Sequence, residues 1–109
     1  MISRSIVASV YIGFLAAPAL AQQSDDTRLK SLGQHLGREC VSCHRLDGGD
    51  NGIPAIVGWP VAEFVEMMGY YKGGQRPNPA MVSVAQSLDD EQVKALATWF
   101  ASLPKLKKK

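Results

Sequence analysis

The chain has 109 residues, with 12 Lys and Arg against 10 Asp and Glu, and a formal net charge of +2 at pH 7. This near balance argues against a nucleic-acid-binding protein, because such proteins concentrate basic residues on one face. The one basic cluster lies at residues 105–109, where we expect a solvated tail rather than a docking element. The length allows one small domain with a modest core.

The N-terminal residues have the pattern of a secretory signal peptide. Arg4 supplies a positive charge, residues 6–20 are uncharged and mostly apolar, and Ala19-Leu20-Ala21 forms an A-x-A cleavage site. A retained membrane anchor is the alternative, but the apolar stretch is short for a span of about 20 residues. We therefore predict that residues 1–21 are cleaved and that residues 22–109 form one exported domain.

The first helix is predicted over residues 27–39, where leucines recur at helical spacing. Glycine weakens an isolated helix, so Gly33 and Gly37 beside the apolar face require a packing explanation. We expect a second helix to approach closely there, with Phe100 or its neighbour Trp99 packed across the glycines.

Two more helices follow, and no segment has the alternating pattern of a strand. A middle helix is predicted over residues 61–72, while residues 47–58 and 75–88 are predicted to be loops. In the last helix, Asp89 is the expected N-cap, and Gln92 at the third helical position completes a capping-box pattern. The pattern indicates an all-α fold.

Residues 40–44 read Cys-Val-Ser-Cys-His, which is the attachment motif for c-type haem. The thiols of Cys40 and Cys43 can add to the two vinyl groups of one porphyrin, and His44 then serves as the proximal iron ligand. The motif occurs once, so we predict one covalently attached haem c. Haem c is attached outside the cytoplasm, which agrees with a periplasmic location after export.

Three methionines are candidates for the distal iron ligand. Met81 follows the sequence Arg-Pro-Asn-Pro-Ala at residues 76–80, whose prolines restrict the backbone and can hold a sulfur atom against iron. Met67 and Met68 lie on the middle helix, where filling the core is the usual role of methionine. Met81 is therefore the predicted ligand, and Met68 is the first alternative.

Other residues are candidates for contacts around the haem. The proximal imidazole normally donates its second N–H to a carbonyl group, and Pro54 is in a position to offer one, although it also fits an ordinary turn. Arg76 and Trp59 are candidate partners of the propionates, with Tyr70 or Tyr71 behind them. Aromatic residues suit a core equally well. We do not expect His35 to be a ligand.

Together these segments resemble the class I bacterial cytochromes c. The resemblance is carried by residues 40–44, 52–58, 76–81, 88–91 and 97–101. It implies three to four helices around one haem, His44 and Met81 as axial ligands, and the carbonyl of Pro54 on His44. It also implies electron transfer through a partly exposed haem edge.

Residues 53–55 and 71–76 look most similar to two groups within that class. One is the small haem subunits of flavocytochrome c sulfide dehydrogenases, and the other is single halves of dihaem periplasmic cytochromes. Trp59 stands where those relatives more often place a polar residue, which leaves the surroundings of the propionates open.

The leading functional hypothesis is a periplasmic carrier of single electrons that exchanges them with redox protein partners, with no nucleic acid or stable membrane insertion involved. The alternative is the electron-accepting haem subunit of a flavoprotein sulfide dehydrogenase. A haem enzyme with an open sixth position is a third hypothesis, and it would leave the methionine segment without a purpose. A zinc site would need a further ligand beyond Cys40, Cys43 and His44, and only His35 could complete the set. A thioredoxin-like site would need a βαβ setting.

Overall fold

The computed structural model describes residues 8–13 and 17–105, with side chains of the first helix described from residue 24 onward. The described residues contain helices and turns but no strand, which confirms an all-α fold for this part of the chain. No helix among them combines the length and the apolar character of a membrane span. The elements are α1 (Ala17–Leu36), a 3₁₀ turn (Cys40–Ser42), α2 (Val61–Lys72), α3 (Pro79–Gln86) and α4 (Asp90–Ser102).

The closest helix packing is between α1 and α4. A Cβ atom at Gly33 would overlap the carbonyl group of Ala95, and one at Gly37 would overlap the ring of Trp99. The two glycines therefore allow the backbones to approach, which confirms the predicted reason for them. Of the two aromatic candidates, Trp99 covers the glycines, whereas Phe100 points into the core.

Phe100 lies at the centre of the core and is fully buried. Its ring stacks on Phe64 of α2 at a centroid distance of 5.9 Å and meets the ring of Trp99 at 4.7 Å. The segment before α2 adds Ile56 and Val57 to this core. Other buried members are Met68, Ala85, Val93, Leu96 and Ala97.

The first helix differs from its predicted bounds at both ends. It begins at Ala17 instead of residue 27 and ends at Leu36 instead of residue 39. The early end has a local cause, because the chain tightens after Gly37 into the 3₁₀ turn, with the Cys40 amide 3.0 Å from the Gly37 carbonyl oxygen. The predicted cleavage position after Ala21 lies within α1. Residues 1–7 and 14–16 of the predicted signal peptide lie outside the described part of the chain, and its cleavage stays a prediction.

The prediction of a loop over residues 75–88 is wrong for Pro79–Gln86, which form α3. Asn78 is the N-cap of this helix, and its Oδ1 atom accepts the backbone N–H of Met81 at 3.1 Å. Pro79 occupies the first turn, where its missing N–H has no cost. Ala85 is fully buried and fixes the inner face of α3.

The other two helices agree with the sequence-based expectation. The bounds of α2 are those predicted, and α4 begins after Asp89 with both hydrogen bonds of a capping box. Asp89 accepts the Gln92 amide at 2.8 Å, and the Gln92 side chain accepts the Asp89 amide at 2.9 Å. The cap satisfies backbone N–H groups that have no partner within the helix.

Candidate functional site

The Cys-Val-Ser-Cys-His motif lies directly after α1, in and just beyond the 3₁₀ turn. The carbonyl of Cys40 accepts the amides of Cys43 at 3.2 Å and His44 at 2.8 Å. The hydroxyl of Ser42 donates to the Glu39 carbonyl at 2.7 Å. These bonds wind the motif into a compact turn, so that both thiols and the imidazole belong to one short rigid segment.

The two cysteines are free and differ in exposure. Cys40 is half-buried and packs against the hydrophobic core, whereas Cys43 is exposed. Burial raises the pKa of the Cys40 thiol, and the neighbouring charge of Glu39 raises it further. Cys40 is therefore a protonated, weakly nucleophilic thiol at neutral pH.

The imidazole of His44 is oriented by a backbone carbonyl ten residues further along the chain. Its Nδ1 atom lies 2.6 Å from the carbonyl oxygen of Pro54. Because a carbonyl can only accept, Nδ1 is the donor in this contact, and the neutral form of the ring then has its lone pair on Nε2. This is the tautomer and the second-sphere partner that a metal-binding histidine requires. The structure places these two residues together as expected, and their role toward haem stays a prediction.

Residues 45–53, here called the proximal loop, connect His44 to Pro54. Arg45 forms an ion pair with Asp47, and this pair, together with the Gly49 amide at 2.8 Å, holds the pKa of the Asp47 carboxyl below its usual range. Asp50 in turn accepts the Gly52 amide at 2.8 Å. Side-chain acceptors thus supply hydrogen bonds to this exposed loop.

The three described methionines lie in different environments. Met68 is buried in the core, and the Met67 sulfur lies 2.6 Å from Nη1 of Arg76. Met81 is half-buried at the edge of the core, in the first turn of α3, with its amide held by Asn78. Met81 is thus on a capped helix instead of the irregular loop that the sequence suggested.

The predicted propionate partners lie at or near the surface of the described structure. Arg76 is exposed and lies 5.1 Å above the centre of the Tyr71 ring, at a pocket of about 260 Å³. Trp59 is half-buried and packs against the core. Tyr70 donates to Glu66 at 2.8 Å, which raises the pKa of the Tyr70 hydroxyl. The propionate roles of Arg76 and Trp59 stay predictions.

Two residues that position the site were missed in the sequence. Asn78 starts α3, and its place before a proline was the signal that a helix begins there. Lys72 donates from Nζ to the carbonyl oxygen of Leu88 at 2.7 Å and thereby joins the end of α2 to the segment before α4. No local pattern indicates this second contact, since the partners are 16 residues apart.

Among the described residues, no group of three or more His, Cys, Asp or Glu side chains is arranged to hold a metal ion. His35, the remaining histidine, is exposed in the last turn of α1. Cys40, Cys43 and His44 do not themselves form such a group in the described structure.

A known protein is similar to part of this chain. No family model matches the chain. The thiosulfate dehydrogenase electron acceptor of Thiomonas intermedia (strain K12) is 34% identical over 67 residues, which are 59% of this chain and 31% of that protein. The chain thus spans less than a third of the relative that it matches, and the similarity is to a protein named for accepting electrons.

Proposed function

We propose that the chain is a c-type cytochrome with one covalently attached haem that transfers single electrons. The observation that carries this proposal is the 2.6 Å contact between Nδ1 of His44 and the carbonyl of Pro54, next to two free thiols at the attachment spacing. The contact leaves the Nε2 lone pair of His44 available to iron. The relative named as an electron acceptor supports the same function.

The residues present fit the cofactor. Cys40 and Cys43 offer two thiols on one turn for thioether bonds, and His44 offers an imidazole with a fixed tautomer. When bound, haem would supply a one-electron ferric–ferrous couple, and the protein would orient and insulate it. The half-buried position of Cys40 against the core would anchor the porphyrin beside apolar side chains.

Haem attachment can be tested directly by expressing the gene with a periplasmic haem-maturation system. We expect the intact mass to show one haem per chain and an N-terminus at Gln22, because residues 1–21 are the proposed export signal. The double variant Cys40→Ser, Cys43→Ser should carry no covalent haem, whereas His35→Ala should carry a full complement. A wild-type chain without added haem mass would overturn the proposal.

Met81 is the proposed distal ligand. Its sulfur belongs to a half-buried side chain on a capped helix turn, while Met68 is enclosed in the core and Met67 is engaged by Arg76. A thioether ligand favours ferrous iron and suits a carrier at positive potential.

The ligand assignment is tested by the weak near-infrared charge-transfer band that a methionine–iron bond gives in the ferric protein. We expect Met81→Ala to lose this band and to bind carbon monoxide readily when reduced, whereas the matched variant Met67→Ala keeps the band. Persistence of the band in Met81→Ala would reassign the ligand to Met68 or Met67, and the Met67→Ala variant would distinguish the two.

A second candidate function is that of the electron-accepting subunit of a dehydrogenase that oxidises a reduced sulfur compound. The name of the 34% identical relative favours it, and the flavoprotein sulfide dehydrogenase suggested by the sequence belongs to the same broad class. Affinity purification of the haem-loaded protein from its native periplasm should then recover a dehydrogenase in stoichiometric amount. Recovery of the cytochrome alone, with rapid exchange of electrons with several acceptors, would favour the free carrier.

A further inference from the structure

We propose that Asn51 is a site of spontaneous deamidation, which converts it to aspartate and isoaspartate between His44 and Pro54. The inference comes from the arrangement of the proximal loop around the Asn51–Gly52 peptide bond. This reaction needs a backbone nitrogen as nucleophile, a side-chain amide as electrophile and water, and the loop exposes all its reacting groups to solvent.

The nucleophile is the backbone nitrogen of Gly52. Its N–H donates to the Oδ1 atom of Asp50 at 2.8 Å, so a carboxylate is in place to accept the proton that the nitrogen must lose. Gly52 has φ +87°, and apart from its two chain neighbours no residue has a heavy atom within 4 Å of a Cβ atom built there. With no side chain at Gly52, little steric hindrance opposes attack of its nitrogen on the preceding side chain.

The electrophile is the side-chain amide of Asn51. Its Oδ1 atom lies 3.4 Å from Nη1 of Arg45, whose positive charge would stabilise negative charge that develops on this oxygen during attack. Arg45 is itself held by Asp47. The base, Asp50, thus contacts the nucleophilic nitrogen of Gly52, and the cation, Arg45, lies beside the side-chain amide of Asn51 that is attacked.

The reaction balances without a redox partner. The Gly52 nitrogen loses its proton to Asp50 and forms a bond to Cγ of Asn51. The bond from Cγ to the side-chain nitrogen then breaks, and ammonia leaves with the proton, giving a five-membered succinimide. Water opens the ring at either carbonyl and yields aspartate or isoaspartate.

The chain contains its own controls for this chemistry. Asn78 is the other asparagine in the sequence, and Pro79 follows it, so no backbone N–H is available for ring closure. Asp47–Gly48 has the same spacing, but Arg45 holds the Asp47 carboxyl in its ionised form, which is a poor electrophile. Conversion should therefore be concentrated at Asn51.

The consequence for the site rests on the proposed function, whereas the modification itself does not. Isoaspartate adds a methylene group to the main chain of a segment whose ends are joined by the His44–Pro54 hydrogen bond. Both products also add a negative charge beside Arg45 and Asp50. We expect the imidazole orientation, and with it the reduction potential, to change as the protein ages.

The test is to incubate the full haem-loaded chain at mildly alkaline pH and follow its peptides by mass spectrometry and isoaspartyl methyltransferase labelling. We expect the one-dalton increase at Asn51 to form at least about tenfold faster than at Asn78, a barrier difference of about 1.4 kcal/mol. Equal rates at the two asparagines would overturn the proposal, whatever the haem content of the sample.

Two variants sharpen the test. Asp50→Ser keeps a turn-forming oxygen but removes the carboxylate, and it should slow conversion of Asn51 by about tenfold. A wild-type rate in this variant would overturn the role of Asp50. Asn51→Gln keeps an amide but disfavours the five-membered ring, so its reduction potential should stay constant during incubation while that of the wild type drifts. Equal drift in both proteins would overturn the predicted effect on His44.

Discussion

The α1–α4 contact and the proximal loop are built from opposite kinds of interaction. In the first, Gly33 and Gly37 bring two backbones together beneath Trp99, with apolar burial on both sides. In the second, Asp47 and Asp50 hold an exposed chain by side-chain hydrogen bonds. The stability of the fold therefore resides mainly in the helix pair, while the proposed chemistry depends on a segment fixed by few and polar contacts.

The largest expected difference between the two regions comes from truncating an apolar side chain in each. Phe100→Ala removes a fully buried ring from the core of α4 and should lower the free energy of unfolding by about 3–5 kcal/mol. Ile53→Ala in the proximal loop, where the side chain is 38% exposed, should change it by about 0.5 kcal/mol or less. Urea unfolding of both variants measures the contrast, and equal losses would show that the loop carries part of the core.

Glycine substitutions test the packing explanation on its own. Gly33→Val places a side chain where the carbonyl of Ala95 lies and should cost about 1–3 kcal/mol or more. Gly69→Ala in α2, where a Cβ atom meets nothing within 4 Å, should instead stabilise the protein by about 0.5–1 kcal/mol. Thermal unfolding of the two variants should therefore shift in opposite directions. A gain in stability for Gly33→Val would refute close packing of α1 on α4.

The two N-caps allow a comparison between the helix pair and the proposed distal side. Asp89→Ala should destabilise the protein by about 1 kcal/mol through α4. Asn78→Ala should cost a similar amount through α3 and should also weaken the charge-transfer band proposed for Met81, whose amide Asn78 caps. The band in Asp89→Ala serves as the control and should be unchanged. A loss of the band in both variants would mean that it reports on general loosening.

The smallest effect concerns the thiols of the haem-free chain and is a difference in reactivity, with no change in stability. Exposed Cys43 should be alkylated by iodoacetamide first at neutral pH. Because the pKa of Cys40 is raised, its thiolate forms only at higher pH, and its alkylation rate should continue to rise through the alkaline range. The single variants Cys40→Ala and Cys43→Ala assign each rate, which peptide mapping measures. A Cys40 rate that levels off near neutral pH would contradict the burial of this thiol.

Patterns with local physical causes were read correctly from the sequence. The capping box at Asp89 and the glycine pair of α1 follow from hydrogen bonding and steric requirements that act within one helix or one contact. The start of α1 was misplaced because residues 17–21 were assigned to a signal peptide and the polar residues 22–26 have no apolar stripe that marks them as helical. The loop prediction for α3 gave too much weight to two prolines, one of which starts the helix.

For the site, the sequence predicted the attachment motif and the pairing of His44 with Pro54, but not the other contacts around them. The attachment motif and the pairing of His44 with Pro54 could be proposed from residue types and spacing, and the structure brings those two residues together. The contact of Arg76 with Met67 could not be proposed, because it depends on how the chain turns after α2. The polar contacts of the proximal loop could not be predicted either, because charged residues at a surface do not recur with the regular spacing of a helix or a strand.

The hydrogen bond from Lys72 to Leu88 has a consequence for motion. It closes the chain around α3, so that the segment with Met81 is fixed at its two ends as well as by its own cap. A segment whose ends are held together has fewer conformations available, so that ordering it costs less entropy. The backbone amides of α3 should then exchange with solvent as one cooperative unit. The side chain of Lys72, at the end of α2, would set how often the proposed distal ligand is released.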